Sequence, residues 1–241
     1  MSHPADAIVI GGGLAGCATA YYLAKDGVSV TLLERGDLNS LASGSNAGSL
    51  HAQIPHDPFV QNGEAWTRSF APAIGLLRRS VEMWRGLSDE LGVDLDVALN
   101  GGLLVAACER EMRDVERKAA FERAAGLEVE IWDRAELRKR APYLSERMVG
   151  GAFCPGEGKA NPLAAAPAFA AAARRHGAAI LRGAEVKAIV AEARGFRLET
   201  THGPMQARRV VNAAGSEAGR IAAMIGLKLA VDAHPIQVSV T

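Results

Sequence analysis

The sequence has little of several things that would direct a reading toward particular classes. Net charge is absent: 27 basic side chains balance 27 acidic ones. A chain so balanced offers no global field for nucleic acid or for an anionic membrane surface. Aromatic residues make up only 5% of the chain, so its core must be built from Ala, Leu, Val and Ile. Cysteine is scarce and odd in number, with Cys17, Cys108 and Cys154 at spacings that suit neither a metal site nor a redox pair. Unpaired thiols fit a reducing compartment, and the cytoplasm is expected. No apolar run reaches the roughly 18 residues of a membrane span. The apolar stretch Ile8 to Ala24 lacks a basic leader and contains three consecutive glycines, so no export signal is read there.

What is present is 241 residues, 49% of them hydrophobic, with 26 glycines that follow no collagen-like period. That composition is globular, and the length suits one large or two modest domains. Strand and helix patterns alternate from the start. Asp6 to Ile10 reads as a buried parallel strand, Leu14 to Lys25 as a helix stopped by Gly27, and Val28 to Glu34 as a second strand. This is a β-α-β unit of a doubly wound sheet. Leu38 to Gly63 is rich in Ser, Gly, Asn and Pro and reads as a functional loop. Glu64 to Gly92 reads as helical, interrupted or started near Pro72, with Ile74, Leu77, Val81 and Trp84 on one face. A strand at Gly101–Ala107, a charged helix at Glu109–Ala125, a short helix at Asp133–Arg140 and a strand at Gly150–Cys154 follow. Asn161-Pro162 forms a cap and first-turn pair for an Ala-rich helix to His176. Beyond it lie four strand-like runs (Ala178–Leu181, Glu185–Glu192, Phe196–Thr201, Arg208–Ala213), a helix at about Ser216–Ile225, and a last strand at Ala233–Thr241.

The chemistry-bearing motif is Gly11-Gly12-Gly13-Leu14-Ala15-Gly16, a G-x-G-x-x-G between a strand and a helix, with Glu34 ending the second strand. In that context the pattern points to a dinucleotide. Gly11 allows a tight turn, Gly13 lets the backbone approach a pyrophosphate at the positive helix end, and Gly16 lets the helix pack against the strand. Glu34 is placed to accept hydrogen bonds from ribose hydroxyls. It disfavours a 2′-phosphate, though Arg35 beside it tempers that.

Residues 7–34 resemble the N-terminal FAD fingerprint of flavoprotein oxidoreductases. The stretch Ala42 to His51 (ASGSNAGSLH) is similar to the flavin-contacting loop of the D-amino-acid oxidase, glycine oxidase and sarcosine oxidase superfamily. Val210 to Gly215 (VVNAAG) is similar to that family's later strand ending in a small-small-Gly turn. The resemblance implies an α/β fold, with a mostly parallel Rossmann-like FAD-binding sheet and a partial α+β substrate domain. It implies hydride transfer to flavin from the carbon bearing nitrogen in an amino acid or secondary amine, giving an imine. It carries over a cofactor set of Gly11, Gly13, Leu14, Ala15, Gly16, Glu34, Arg35, Ser43, Ser45, Asn46, Ala47, Gly48, Ser49, Leu50, Val186, Ala213, Ala214 and Gly215. FAD is expected to be held noncovalently, with His51 a less favoured point of attachment. Catalytic residues are not identified. The family's substrate-gripping Arg and Tyr usually lie beyond the position of Thr241, so the chain is expected to be C-terminally truncated. Expected domain boundaries are 1–90 with 153–226 for the cofactor domain, and 91–152 with 227–241 for the substrate domain.

Other readings stay open at this level. A non-catalytic FAD-binding subunit or fragment, a tRNA-modifying flavin domain and an NAD-dependent dehydrogenase are the alternatives. The expected partner is a small amine or amino acid, with a partner subunit possible and no nucleic acid. His56 and Asp57 fit either a substrate access route or a surface turn. Arg78-Arg79 and Arg134–Arg140 read as solvated helix faces, Trp66, Trp84 and Trp132 as packing residues, and Cys17 as a small buried thiol. No metal constellation stands out.

Overall fold

The computed structural model describes residues 5–231 and 233. The last strand expected from the sequence, Ala233–Thr241, lies outside the described residues apart from Ala233. In chain order the elements are β1 (Ala5–Ile10), α1 (Leu14–Lys25), β2 (Val30–Leu33), β3 (Ser49–Leu50), α2 (His56–Phe70), α3 (Ala73–Arg85), α4 (Leu87–Leu91) and β4 (Gly102–Ala106). They continue with α5 (Glu109–Ala124), β5 (Glu130–Asp133), α6 (Arg134–Arg140), β6 (Gly150–Cys154), β7 (Gly158–Lys159), α7 (Pro162–Arg175) and β8 (Ala179–Leu181). After these come β9 (Val186–Glu192), β10 (Gly195–Thr200), β11 (Gly203–Asn212), a 3₁₀ turn at Gly215–Glu217 and α8 (Ala218–Ala223).

These elements fall into two compact units, residues 5–47 with 161–231, and Gly48–Ala160. The sequence-based boundaries assign 48–90 and 153–160 to the first unit instead. The first unit is built on a six-stranded sheet in the order β8-β2-β1-β11-β10-β9. Strands β8, β2, β1 and β11 run parallel, and β10 and β9 complete the sheet as an antiparallel meander. The unbroken apolar run in β1 explains its central place: Ala7, Ile8, Val9 and Ile10 are all buried, as a strand covered on both faces requires. Helix α7 opens with Asn161 capping the N–H of Leu163 at 3.0 Å and Pro162 in the first turn. Its buried face is mostly alanine, which lets α1 come close, and Tyr21 and Tyr22 of α1 meet Phe169 at centroid distances of 5.7 and 6.0 Å.

The second unit is α+β. A three-stranded antiparallel sheet, β4-β6-β5, and the two-stranded β3-β7 pair accompany helices α2 to α6. Its core joins Phe59, Ile74, Val81, Val115, Ala152 and Cys154. Ile74 and Val81 are buried and Leu77 and Trp84 half-buried, so the apolar face read from the sequence is the inward one. Two local expectations are corrected. The loop taken to run to Gly63 ends at Pro55, because Pro58 sits in a first turn where a missing N–H costs nothing. Gly63, at φ 70°, is instead a break inside α2. The helical stretch from Glu64 to Gly92 is interrupted near Pro72, as expected, and is divided again at Gly86, which was not expected. His56 and Asp57 thus open a helix and do not form a surface turn. Trp132 stacks on Phe153 at 4.5 Å and Trp66 on Phe70 at 5.2 Å, both as packing contacts.

Candidate dinucleotide site

The site lies in the first unit, where β1, β2 and β11 end together. Backbone bonds tie those ends: Gly11 N–H donates to Leu33 C=O at 2.9 Å, and Ala213 N–H donates to Ile10 C=O at 2.9 Å. The carboxyl ends of parallel strands are where open α/β sheets receive ligands. Each motif glycine has a separate steric reason. Gly11 turns at φ 113°, and a Cβ there would lie 2.3 Å from the carbonyl oxygen of Ala213. A Cβ on Gly13 would come within 2.9 Å of Ser43 Oγ, and one on Gly16 within 1.9 Å of the carbonyl oxygen of Gly11. Gly12, which the sequence reading left without a role, is equally confined: its Cβ would stand 2.6 Å from Leu38 Cδ2.

These turns border a cavity of about 250 Å³. Of the residues expected from the sequence, Gly11, Gly13, Ala15, Glu34, Arg35, Ser43, Val186, Ala213, Ala214 and Gly215 line it. Val186 is buried and also lines the cavity. Leu14 and Gly16 stand behind the wall. Leu14 N–H, in the first turn of α1, donates to Ser43 Oγ at 3.0 Å, and that bond ties the loop to the helix start. Ser45, Asn46 and Ala47 do not line the cavity; Asn46 Nδ2 donates to the carbonyls of Ala42 and Ser43 at 2.9 and 2.8 Å, winding the loop tightly. Gly48, Ser49 and Leu50 belong to the second unit, where Ser49 pairs with Lys159 and Leu50 with Gly158.

Glu34 is fixed before any ligand arrives. Its two oxygens accept the N–H groups of Gly12 at 2.6 Å and Gly36 at 2.7 Å. A carboxylate has about four acceptor positions, and these bonds take two of them on a residue that lines the cavity. Arg35 bonds Glu217 at 3.4 Å, and Arg220 bonds the same oxygen at 2.8 Å. The two arginines together hold the Glu217 carboxyl below the usual carboxylate range, the Arg220 hydrogen bond contributing most. Sequence reasoning missed Glu217 and Arg220, and also Asn39, Leu41 and Glu185 in the wall. No spacing rule connects Arg35 with a partner 182 positions away. Cys17, in the first helical turns, is fully buried; burial and then the nearby Glu34 push its thiol up to about 12. It is an inert packing group.

The residues present fit a dinucleotide: a cradle that side chains would fill, a helix start, apolar walls from Ile10, Leu33 and Ala184, and an anchored carboxylate. Comparison with known proteins agrees. The family described as "DAO: FAD dependent oxidoreductase" matches residues 6–241. The chain is 34% identical to a glycine oxidase of Geobacillus kaustophilus over 98% of its own length and 61% of that protein. It is 30% identical to an opine oxidase subunit of Rhizobium meliloti, over 99% of the chain and 64% of that protein. The crystal structure of the Geobacillus kaustophilus glycine oxidase superposes with a TM-score of 0.84 at 31% identity, over 95% of this chain and 60% of that one. The chain therefore spans about three-fifths of the length of these relatives. From its glycine turn to its sheet order, it belongs to the DAO family of FAD-dependent oxidoreductases.

Proposed function

We propose that this chain carries the FAD-binding part, and some of the substrate part, of an oxidoreductase acting on the C–N bond of an amino acid or secondary amine. The cavity bordered by Gly11, Gly13, Glu34, Val186 and Ala213–Gly215 carries the reading. In it the glycine turn and the start of α1 receive the pyrophosphate, and the two remaining acceptor positions of Glu34 take the ribose hydroxyls. FAD bound here supplies the two-electron acceptor for oxidation of the C–N bond to an imine. The site residues expected from the sequence form the proposed cofactor set, with Ser43 tying the loop to the helix and Ser45 to Leu50 as the stretch reaching toward the flavin. Binding is noncovalent.

The test is reconstitution. The protein should take up FAD, turn yellow, and release the flavin on denaturation. Under anaerobic conditions it should bleach with a member of a panel of glycine, D-amino acids, N-methyl amino acids and opines. A protein that stays colourless with FAD refutes the proposal.

A second reading, a polypeptide that works with a partner chain, is favoured by the likeness to a relative that is itself named as one subunit of an opine oxidase. Co-purification of a stoichiometric second chain, and bleaching only in its presence, would select it. Among the described residues no helix is long and apolar enough to cross a membrane. We place the protein in the cytoplasm, a reading supported by the free state of Cys17, Cys108 and Cys154.

A further inference from the structure

The second unit buries three charged side chains, Lys118, Glu122 and Glu157, each at most 1% exposed. Burying charge is costly unless every group is answered, so their partners show what the arrangement is for. Glu157, in the turn between β6 and β7, accepts four hydrogen bonds. Its Oε1 takes the N–H groups of Ala52 at 2.6 Å and Gln53 at 2.8 Å; its Oε2 takes Gln53 Nε2 at 2.9 Å and meets His51 Nδ1 at 3.3 Å. The next N–H, that of Ile54, goes to Glu122 Oε1 at 2.8 Å, and Lys118 joins Glu122 to Gln53 Oε1. Three consecutive backbone donors are therefore held by two buried carboxylates.

A second, independent feature makes room for this. On β4, a Cβ at Gly102 would stand 2.0 Å from Glu157 Oε2 and 3.1 Å from its Cβ. A free carboxylate would swing aside, but this one is pinned by four bonds. Gly102, at the start of an otherwise ordinary apolar strand, is bare where the carboxylate lies.

We propose that Glu157 is a positioning residue for the flavin-contacting loop: its carboxylate, admitted by Gly102, clamps the backbone of Ala52 and Gln53 and the ring of His51. Those residues directly continue the stretch 42–50 in the chain. The proposal rests on the reading of that stretch given under Proposed function. A loop that must present small residues to a cofactor needs a fixed end, and residues 51–54 provide it.

The charges around the clamp are consistent with this role. Burial raises the Glu157 carboxyl, but the hydrogen bonds from His51, Gln53 and Ala52 outweigh it and hold it below the usual carboxylate range. His51 is raised above the usual histidine range, chiefly by its hydrogen bond to Glu157, against burial and the repulsion of Lys118. Glu122 is raised by burial despite Lys118 and the Ile54 N–H. Because the folded His51 is the more basic, its share of the clamp is complete below the ordinary histidine value while Glu157 stays ionised, and is lost as pH rises through the raised, folded value.

The experiment uses the protein with ¹³C-labelled histidine, reading the Cε1–H titration of His51 by NMR and FAD affinity by fluorescence quenching. The His51 resonance is assigned with His51→Gln. In wild type His51 titrates above about 6.5, the ordinary value. In Glu157→Gln that titration falls to or below the ordinary value, and FAD binds about tenfold more weakly, the scale of a lost charged hydrogen bond. Gly102→Ala, which expels the carboxylate without touching its charge, should reproduce both changes. The His51 titration reads the contact itself; a merely structural Glu157 would lower stability and leave FAD affinity unchanged. The proposal is overturned if Glu157→Gln leaves that titration unmoved, or binds FAD within about twofold of wild type, well inside the expected change. If Glu157→Gln does not fold, Gln53→Ala removes one donor from Oε2 and keeps both backbone donors. It should weaken FAD binding by about threefold, at the small end of a hydrogen bond's worth; unchanged affinity would overturn the proposal equally. A wild-type protein that binds no FAD overturns the proposed function and the loop's role together, whereas the His51 titration still reads the clamp itself.

Discussion

Replacing Gly16 by alanine should destabilise the protein, although alanine is the better helix former. Within α1 the exchange gains about 1 kcal/mol of helix propensity. Against that, the new Cβ would stand 1.9 Å from the carbonyl oxygen of Gly11 and 3.4 Å from the Cβ of Ala213. No rotamer relieves a backbone oxygen, so α1 must move away from the turn. Overpacking of this kind costs about 1–3 kcal/mol, and contact with rigid backbone belongs at the upper end. The net loss is about 2 kcal/mol, which for a chain of this size lowers Tm by about 4–8 °C. The same substitution at Gly75, an exposed position inside α3 where a Cβ meets nothing within 4 Å, gains the propensity without the clash. Gly75→Ala should therefore raise stability by about 1 kcal/mol. Calorimetry of both variants, with and without saturating FAD, is the assay. Moving α1 also displaces the helix start from the cofactor, so Gly16→Ala should lose most of the stabilisation that FAD confers on the wild type. A Gly16→Ala protein that melts as high as wild type, with its FAD-dependent shift intact, would refute the steric account of the turn.

Further outcomes follow from the same site. Glu34→Gln keeps the shape but offers an amide N–H₂ where the carboxylate met a second backbone N–H, so FAD affinity by fluorescence quenching should fall about tenfold; unaltered affinity would count against a ribose role for Glu34. In the native protein a thiol reagent at pH 8 should label Cys108, the exposed cysteine, and spare Cys17 and Cys154, whose buried thiols are pushed up to about 12 and about 11. Mass spectrometry showing early labelling of Cys17 would contradict its placement. A raised thiol also links stability to pH. Its contribution is whole below the ordinary value of 9.0 and is lost as pH rises toward about 12. Wild type should therefore lose on the order of 1 kcal/mol per pH unit relative to Cys17→Ala across that window, as measured by urea unfolding.

How much of this was legible beforehand depended on distance along the chain. The β-α-β unit could be read because its signals are local: an apolar run buried on both faces, glycines at the turn, and a stop at Gly27. The cap pair Asn161-Pro162 and the charged helix α5 were readable for the same reason. The start of α2 was not, because proline is a loop signal by composition and a first-turn residue by geometry, and His56 to Pro58 satisfies both descriptions. The cavity wall followed the same rule. Gly11, Gly13 and Glu34 belong to a short motif with fixed spacing, while the contact of Arg35 with Glu217 arises only when β11 returns beside β1. Glu157 was least legible of all. In CPGEGKANP it has the composition of an exposed turn, and its burial is explained only by Gly102 and by the backbone of Ala52 and Gln53, which lie about 50 and 100 positions earlier.

The return of β11 has a consequence for how the protein is made. Ala5 pairs with Ala207 and Ile10 with Asn212, so the central strand of the sheet lacks one neighbour until some two hundred further residues exist. At ribosomal rates of about 5–20 residues per second that is a delay on the order of 10–40 seconds. Through it, β1 (Ile8, Val9 and Ile10 included) has one unpaired edge, and its apolar side chains are only partly covered. Such a strand is a hazard in a nascent chain, because an open parallel edge accepts whatever strand arrives first. Synthesis of this protein should therefore be sensitive to the supply of chaperones that bind emerging apolar segments, and slowing translation between codons 10 and 212 should raise the fraction that aggregates.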